Sequence, residues 1–308
     1  MPQYKGLLFI GDPHLAHRNP GARKDEYGRA ILDKLRWIFA YAKQDQLLLC
    51  CLGDLFHFPR DNANWLVAEL CELLVDREVL AIYGNHDVQE NRLSENDSIS
   101  VPIKAGLLRM VSETAYWEGF IGDRPVIVGG TPFGAYLPAT FSPGFSGETL
   151  VFWMTHHDVR FPDYAAGRLD PVEIPGIAVV INGHIHRRFE AIRRRKTTWL
   201  NPGNIARTNR GEGANVPSVL RMDFARGGWE AKYVTVPHRG PHEVFTESTA
   251  PDAELALDSQ FVRGLAAIQS RRSGGEGLRE FLDHNLDSFD PAVAAEIRRL
   301  AEEVLQSV

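Results

Sequence analysis

Short apolar runs alternate with amphipathic stretches over the first third of the chain. The runs "GLLFI", "QLLLCCLG" and "EVLAIYG" are apolar almost throughout, as strands buried on both faces are. Between them, "DEYGRAILDKLRWIFAYAKQ" and "NANWLVAELCELLVD" carry apolar residues at helical spacing. This order of strands and helices predicts a parallel sheet covered by helices.

Later apolar runs are joined by short turns marked by Gly and Pro, with few helices between them. They are "RPVIVGG", "ETLVFWMT", "IAVVING", "RRFEAIR", "KTTWLN", "PSVLRMDF" and "WEAKYVTV". Such a series predicts a second, more antiparallel sheet.

The pattern changes again after about Val236. We place a boundary near residue 240, between a large domain at 1–240 and a small helical C-terminal region at 241–308. The last predicted helix carries an apolar stripe at helical spacing, formed by Val293, Ile297, Leu300 and Val304. Such a stripe packs either on its own domain or on a partner.

Composition limits the size of the domains and the class of protein. With 308 residues, 44% of them hydrophobic, the chain is long enough for one large domain and a small appendage. The three cysteines lie in apolar sequence without disulfide or metal-site spacing, which suits reduced core residues and a cytoplasmic protein. The N-terminus has no basic start or long apolar stretch, so we expect no export and no membrane segment. A net charge of −6 excludes a surface that is basic throughout.

Candidate chemistry lies at the ends of the predicted strands. The polar residues there are Asp12 and His14, Asp54, Asn85 and His86, His156, and His184 and His186. Residues two apart in an extended chain face the same side, so "DPH" and "HIH" can each present two donors to one point. Taken alone, Asp54 or Asn85 could be a turn residue and His156 a core histidine. Five such sites after five apolar runs favour one shared site instead.

The donor types indicate a metal site. Carboxylate, imidazole and amide oxygen without thiolate suit Mn²⁺, Fe or Zn²⁺. Seven ligands are too many for one tetrahedral ion, whereas two ions that share a bridging carboxylate would use them all. We expect Asp54 to be that bridge.

These motifs, D-x-H, G-D, G-N-H-D, H and G-H-x-H, resemble those of the calcineurin-like metallophosphoesterases over roughly residues 6–236. The resemblance implies an α/β (α+β) fold, a four-layer αββα sandwich of two mixed β-sheets flanked by helices, with a small helical C-terminal region. It implies phosphoester hydrolysis by a metal-bound hydroxide. The implied ligand sets are Asp12, His14 and His186 for one ion and Asn85, His156 and His184 for the other, with Asp54 bridging.

The resemblance leaves His86 off the metals, directed at the phosphate as a cation or proton donor. Asp87 is then expected to orient His86. The stretch "GDLFHFPR" is similar to the corresponding motif of SbcD-type DNA double-strand-break repair nucleases, which implies that His57 lies near the scissile phosphate. The alternative is a loop histidine with no role.

A basic cluster, "RRFEAIRRRK", follows the G-H-x-H motif directly. Its first residues, Arg187 and Arg188, would suit a phosphate backbone, and Arg207 and Arg210 would extend the surface. The alternative is a solvated hairpin.

The leading hypothesis is therefore a Mn²⁺-dependent phosphodiesterase that cleaves DNA as an exonuclease or endonuclease. By the same resemblance, its partners would be an SbcC-like coiled-coil ATPase and a second copy of the chain. Only about 70 residues follow residue 240, so the cap of that branch is small or absent. A small-molecule phosphatase or cyclic-nucleotide phosphodiesterase is the second hypothesis. A non-catalytic scaffold is the third, although every motif position has the expected residue.

Overall fold

The computed structural model describes residues 4–142, 149–225, 228–247 and 294–299. The chain divides into two compact units, Met1–Thr246 and Glu247–Val308, a few residues beyond the boundary predicted near residue 240. In the second unit, residues 294–299 are helical. Of the predicted apolar stripe only Ile297 lies among them, while Val293, Leu300 and Val304 lie outside the described residues.

The first unit contains twelve strands and four α-helices among its described residues. In chain order they are β1 (Gly6–Ile10), α1 (Tyr27–Asp45), β2 (Leu47–Cys51), α2 (Asn64–Leu74), β3 (Val79–Ala81), α3 (Ser100–Lys104), β4 (Arg109–Met110), β5 (Trp117–Ile121), β6 (Arg124–Thr131), β7 (Leu150–Thr155), β8 (Val179–Asn182), β9 (Ile192–Arg194), β10 (Thr197–Leu200), β11 (Ser218–Ala225), β12 (Gly228–Thr235) and α4 (Pro241–Val244). No helix in the described ranges combines the length and apolar character needed to cross a bilayer.

Two six-stranded mixed sheets form the framework, as the α/β prediction requires. The first has the order β12-β11-β1-β2-β3-β4 and the second the order β5-β6-β7-β8-β10-β9. In the first sheet, β1 to β4 are parallel, and β11 joins β1 in antiparallel register. In the second sheet, β6, β7, β8 and β10 are parallel.

The prediction of a more antiparallel second sheet is therefore wrong in two respects. The hairpin of β11 and β12 completes the first sheet, and the centre of the second sheet is parallel. Only the edge strands β5 and β9 are antiparallel to their neighbours in that sheet. The run "RRFEAIR", predicted as a strand, contributes only its last residues to β9.

Side-chain alternation along the strands separates the layers of the sandwich. In β1, Leu7 and Phe9 face the second sheet, whereas Leu8 and Ile10 face the helices. The helices α1 and α2 present apolar faces to that outer side, and α2 does so with residues at i, i+4 and i+8. The outer face of the second sheet is covered, within the described residues, mainly by loop residues such as Phe141.

Candidate metal centre

The predicted polar residues meet at one end of the two sheets. Parallel strands end at the same edge, so the segments after β1, β2 and β3 leave the first sheet side by side. The segments after β7 and β8 leave the second sheet in the same way. The two sets meet where His156 Nε2 lies 3.2 Å from Asp54 Oδ2.

Three groups of side chains among the described residues have donor atoms close enough to hold a metal ion; one is His14, His57 and His86, and the other two share Asp54. Of these two, one contains His14, Asp54 and His186, the other contains Asp54, His156 and His184, and within each group the donor atoms lie within 4.8 Å of one another. Asp54 belongs to both, and its Oδ2 atom lies 3.6 Å from His14 Nε2 as well as 3.2 Å from His156 Nε2. This sharing is the geometry that a bridging carboxylate requires.

The other predicted ligands complete these groups. Asn85 Oδ1 lies 2.9 Å from His184 Nδ1 and 3.3 Å from His156 Nε2. Asp12 accepts a hydrogen bond from the backbone amide of His184, 3.0 Å away, through one oxygen only.

The residues fit a divalent metal. Asp12 Oδ2 is buried and has no hydrogen-bond partner among the described residues, which is costly for a carboxylate oxygen unless a cation meets it. The Nε2 atoms of His14 and His186 face each other at 2.8 Å, as two nitrogens directed at one ion do. The donor set of carboxylate, imidazole and amide oxygen suits a divalent transition metal.

Burial and the charges of neighbouring side chains shift the pKa values of the two aspartates in the centre. Burial raises the pKa of Asp12 to about 6, despite the nearby imidazoles. Burial also favours the neutral form of Asp54, but the imidazoles of His156, His86 and His14 outweigh it and hold the pKa of that carboxyl well below its usual range. A buried carboxylate that stays ionised attracts cations to this position.

The turns that carry the ligands have unusual backbone geometry. Asp12, His14, Asp54 and His184 have φ values of 40°, 47°, 47° and 73°, in the left-handed region that favours glycine. Residues in such conformations persist where the surrounding structure fixes them, commonly at functional sites.

Gly84 permits the close approach of two of these turns. A Cβ atom at this position would lie 2.1 Å from Asp54 Oδ1. The absence of a side chain here therefore lets the loop after β3 approach the shared carboxylate.

His57 and His86 lie beside the first ligand group. His57 Nδ1 is 3.3 Å from His14 Nδ1, and the rings of His57 and His86 stack with centroids 5.1 Å apart. The backbone amide of His86 donates to Asp54 Oδ1 at 2.8 Å, which fixes the position of its loop. Burial, and then the charge of His86, lowers the pKa of His57 to about 4, so His57 is neutral near pH 7.

Asp87 has a different role from the one predicted. Its carboxylate accepts hydrogen bonds from the backbone amides of Phe56, Gly84 and Leu55 at 2.9, 3.0 and 3.2 Å. The imidazole of His86 instead contacts the carbonyl oxygen of His57. The prediction that Asp87 orients His86 is wrong because its buried oxygens already bind three amides; Asp87 ties the loops after β2 and β3 together.

Sequence reasoning missed Glu212. Its Oε1 lies 2.6 Å from His186 Nδ1, and its side chain also accepts hydrogen bonds from Thr208 and Asn209. A carboxylate on one ring nitrogen directs the other nitrogen of a histidine toward a metal. The only signal in the sequence is the position of Glu212 soon after "NPGNIARTN", since no metal motif contains it.

The four arginines predicted to bind substrate lie in different environments. Arg187 and Arg188 are exposed and rest over the rings of Phe189 and Tyr233. The guanidinium of Arg210 donates to the backbone and hydroxyl oxygens of Thr246.

Arg207 is 2% exposed, and its guanidinium donates to the carbonyl oxygens of Gly213 and Arg239. Its assignment to a DNA-binding surface is therefore wrong, because the side chain holds the loop after β10 from inside the protein.

The second half of the basic cluster lies away from the centre. β10 runs parallel to β8, with Leu200 opposite Ile181, so both strands end toward the metal ligands. The turn at Arg195 and Lys196 precedes β10 and lies at the opposite edge, roughly 10 Å further along the strand direction. The predicted alternative, a solvated hairpin, describes this part of the cluster.

Carboxylates and imidazoles gathered around one shared aspartate, at the ends of parallel strands, define a metal-dependent hydrolase. The chain matches the calcineurin-like phosphoesterase family over residues 6–188, more than half of its length, and belongs to that family. It is accordingly a metallophosphoesterase, a hydrolase of phosphoesters. A comparison with curated proteins finds no match.

The solved structures that match this chain include three with low sequence identity and TM-scores under 0.5. One is a hypothetical protein from Thermus thermophilus, 12% identical, with a TM-score of 0.40 over 75% of this chain and 100% of that one. A conserved uncharacterised protein from Streptococcus pneumoniae, described as a predicted phosphoesterase, is 13% identical, with a TM-score of 0.36 over 75% and 89%. Vacuolar Protein Sorting 29 from Cryptosporidium parvum is 13% identical, with a TM-score of 0.29 over 76% and 98%.

Proposed function

We propose that the protein is a dinuclear-metal phosphodiesterase that cleaves DNA. The observation that carries the proposal is the sharing of Asp54 by two potential metal groups, with the additional histidines His57 and His86 at their edge. Two exposed arginines, Arg187 and Arg188, follow directly after the ligand His186 and suit a phosphate backbone.

The ligand groups assign the residues that would hold each ion. Asp12, His14 and His186 would hold one ion, Asn85, His156 and His184 the other, and Asp54 both. Two divalent ions, with Mn²⁺ as the first choice, would supply Lewis acidity and lower the pKa of water. Glu212 keeps His186 directed inward, and Asp87 fixes the loops that carry Asp54 and Asn85.

His86 would act on the substrate. Its Nδ1 lies 2.8 Å from the carbonyl oxygen of His57, and a carbonyl oxygen only accepts, so Nδ1 carries a hydrogen. When His86 is protonated, its Nε2–H group can therefore donate a hydrogen bond to a phosphate oxygen or a proton to the leaving oxygen. His57, neutral and adjacent, offers a second polar contact.

A small phosphodiester is the second candidate substrate, and two observations favour it. The turn at Arg195 and Lys196 lies at the far edge of the sheet and Arg207 is buried, so the predicted cationic surface is reduced. A smaller cationic surface suits a small diester such as a cyclic nucleotide. The ATPase partner and the homodimer follow from the family resemblance and stay predictions, as does the cytoplasmic location.

The test is Mn²⁺-dependent hydrolysis of end-labelled single- and double-stranded DNA, beside bis-p-nitrophenyl phosphate and cyclic AMP. His86→Ala should lower DNA turnover at least about a hundredfold, the range that general acid catalysis contributes, while metal analysis shows unchanged metal content. His238→Ala, which removes an exposed histidine from another loop, is the matched control.

Three results would change the conclusion. Hydrolysis of only the small diesters would favour the second candidate. Full DNA turnover by His86→Ala would refute the role of His86. A metal-loaded wild type that cleaves no phosphodiester would overturn the proposed function.

A further inference from the structure

We propose that a cleft beside His57 and His86 binds the nucleobase next to the scissile phosphate. The proposal rests on the proposed phosphodiesterase function and names the part of the substrate that the site recognises. The cleft has a volume of about 160 Å³, and its walls include His17, Arg18, Phe58, Arg60 and Gln89. A cavity of about 150 Å³ takes one aromatic ring, so the cleft suits a single planar group.

The cleft is built from the three loops that carry the histidines nearest the phosphate position. The loop after β1 continues from His14 to His17 and Arg18. The loop after β2 continues from His57 to Phe58 and the loop after β3 from His86 to Gln89.

His14, His57 and His86 themselves form a cluster whose ring nitrogens lie within 4.8 Å of one another. A group bound in the cleft is therefore next to a phosphate held at that cluster. In a phosphodiester of a nucleic acid, the group attached to the phosphate is a nucleoside.

Phe58 provides the stacking surface. It is 36% exposed, unusual for a phenylalanine, and its ring contacts the ring of His57 edge-on with centroids 4.7 Å apart. An exposed aromatic ring fixed beside a catalytic histidine can stack a base, and such stacking contributes about 1–3 kcal/mol per base.

The polar walls complement the edge of a base. His17 Nε2 accepts a hydrogen bond from Arg18 Nε at 3.1 Å, so His17 Nδ1 carries a hydrogen; this nitrogen is buried and has no partner among the described residues. Arg60 is fixed by Asp97, with Nε 3.1 Å from Oδ1. Donors of this kind match the carbonyl and ring-nitrogen acceptors that bases present.

The test compares two esters with the same leaving group, thymidine 5′-(p-nitrophenyl phosphate) and methyl p-nitrophenyl phosphate. Phe58→Ala should raise KM for the nucleoside ester about tenfold relative to the methyl ester, because about 1.4 kcal/mol of stacking is lost. The matched control is Phe120→Ala, which removes a phenylalanine that is 64% exposed on the edge strand β5. This control should leave the ratio of the two KM values, nucleoside ester to methyl ester, as it is in the wild type. If Phe58→Ala also leaves that ratio unchanged, the proposal is overturned.

Calorimetric binding of thymidine 5′-monophosphate to the Mn²⁺-loaded protein separates this inference from the proposed function. Phe58→Ala should weaken binding about tenfold relative to the wild type, even if the wild type hydrolyses neither ester. Equal binding by the two proteins would overturn the base site. If Phe58→Ala also weakens the binding of a thymidine oligonucleotide, the cleft takes a base that is part of a strand. If it weakens only the binding of cyclic AMP, the cleft takes the base of a mononucleotide.

Discussion

Replacing Glu212 should weaken metal binding without touching a ligand. Glu212 Oε1 lies 2.6 Å from His186 Nδ1, and the side chain is only 12% exposed, so water replaces this contact poorly. Its Oε2 accepts from the backbone amide of Thr208 at 2.7 Å. In Glu212→Gln the charge is lost and one of these donors faces an NH₂ group. A carboxylate behind a ligating histidine is worth about 10- to 100-fold in metal affinity, or about 1–3 kcal/mol.

The measurement is calorimetric titration of chelator-treated protein with Mn²⁺. We expect Glu212→Gln to bind Mn²⁺ at least about tenfold more weakly and Glu212→Ala to bind more weakly still. Glu190→Gln removes an exposed carboxylate near the same motif and should bind normally. Melting curves of the metal-free proteins separate a loss of fold from a loss of affinity. A folded Glu212→Gln protein that matches the wild type and Glu190→Gln in affinity would refute the reasoning.

Two further changes test the packing behind the centre. Gly84→Ala should lower both the melting temperature and the metal content, because a Cβ atom 2.1 Å from Asp54 Oδ1 must displace it; a normal melting temperature with full metal content would contradict this. Lys34 is buried with Nζ 2.6 Å from the carbonyl oxygen of Ile205, and burial, aided by neighbouring cations, lowers its pKa to about 7. In the unfolded chain the Lys34 amine stays protonated up to about pH 10, whereas in the folded protein it loses its proton above about pH 7. The free energy of unfolding of the wild type should therefore rise by up to about 4 kcal/mol between pH 7 and 10 relative to that of Lys34→Met. A pH-independent difference between the two proteins in urea denaturation would show that Lys34 is not buried as a neutral amine.

The position of the candidate centre could be predicted because it depends on local signals. Each polar motif follows an apolar run, and the ends of parallel strands meet at one edge of a sheet. That rule groups Asp54 with the ligands of the first sheet and His156 with those of the second, and the packing of the two sheets then brings these two side chains to 3.2 Å. Buried Cys50 and Cys51 are free, in line with the prediction of reduced core cysteines.

Other features depend on contacts between distant segments and have no local signal. The apolar run of β11 suits either sheet, and its pairing with β1 is decided by packing across the whole domain. Charge alone did not reveal that the turn at Lys196 lies at the opposite edge or that Arg207 is buried. Glu212 acts through His186 from a short 3₁₀ helix, Arg210–Glu212, that no strand pattern marks.

The pairing of β1 with β11 also determines when the domain can form. β1 lies inside the first sheet, between β2 and β11, so its neighbours come from opposite ends of the domain sequence. During synthesis, β1 must keep one edge unpaired until the segment from Ser218 onward leaves the ribosome, and such long-range pairing is slow. A fragment cut at residue 188, where the family match ends, would lack β11, β12 and Glu212. It would expose the edge of β1 to other chains, so aggregation rather than a smaller enzyme is the expected product.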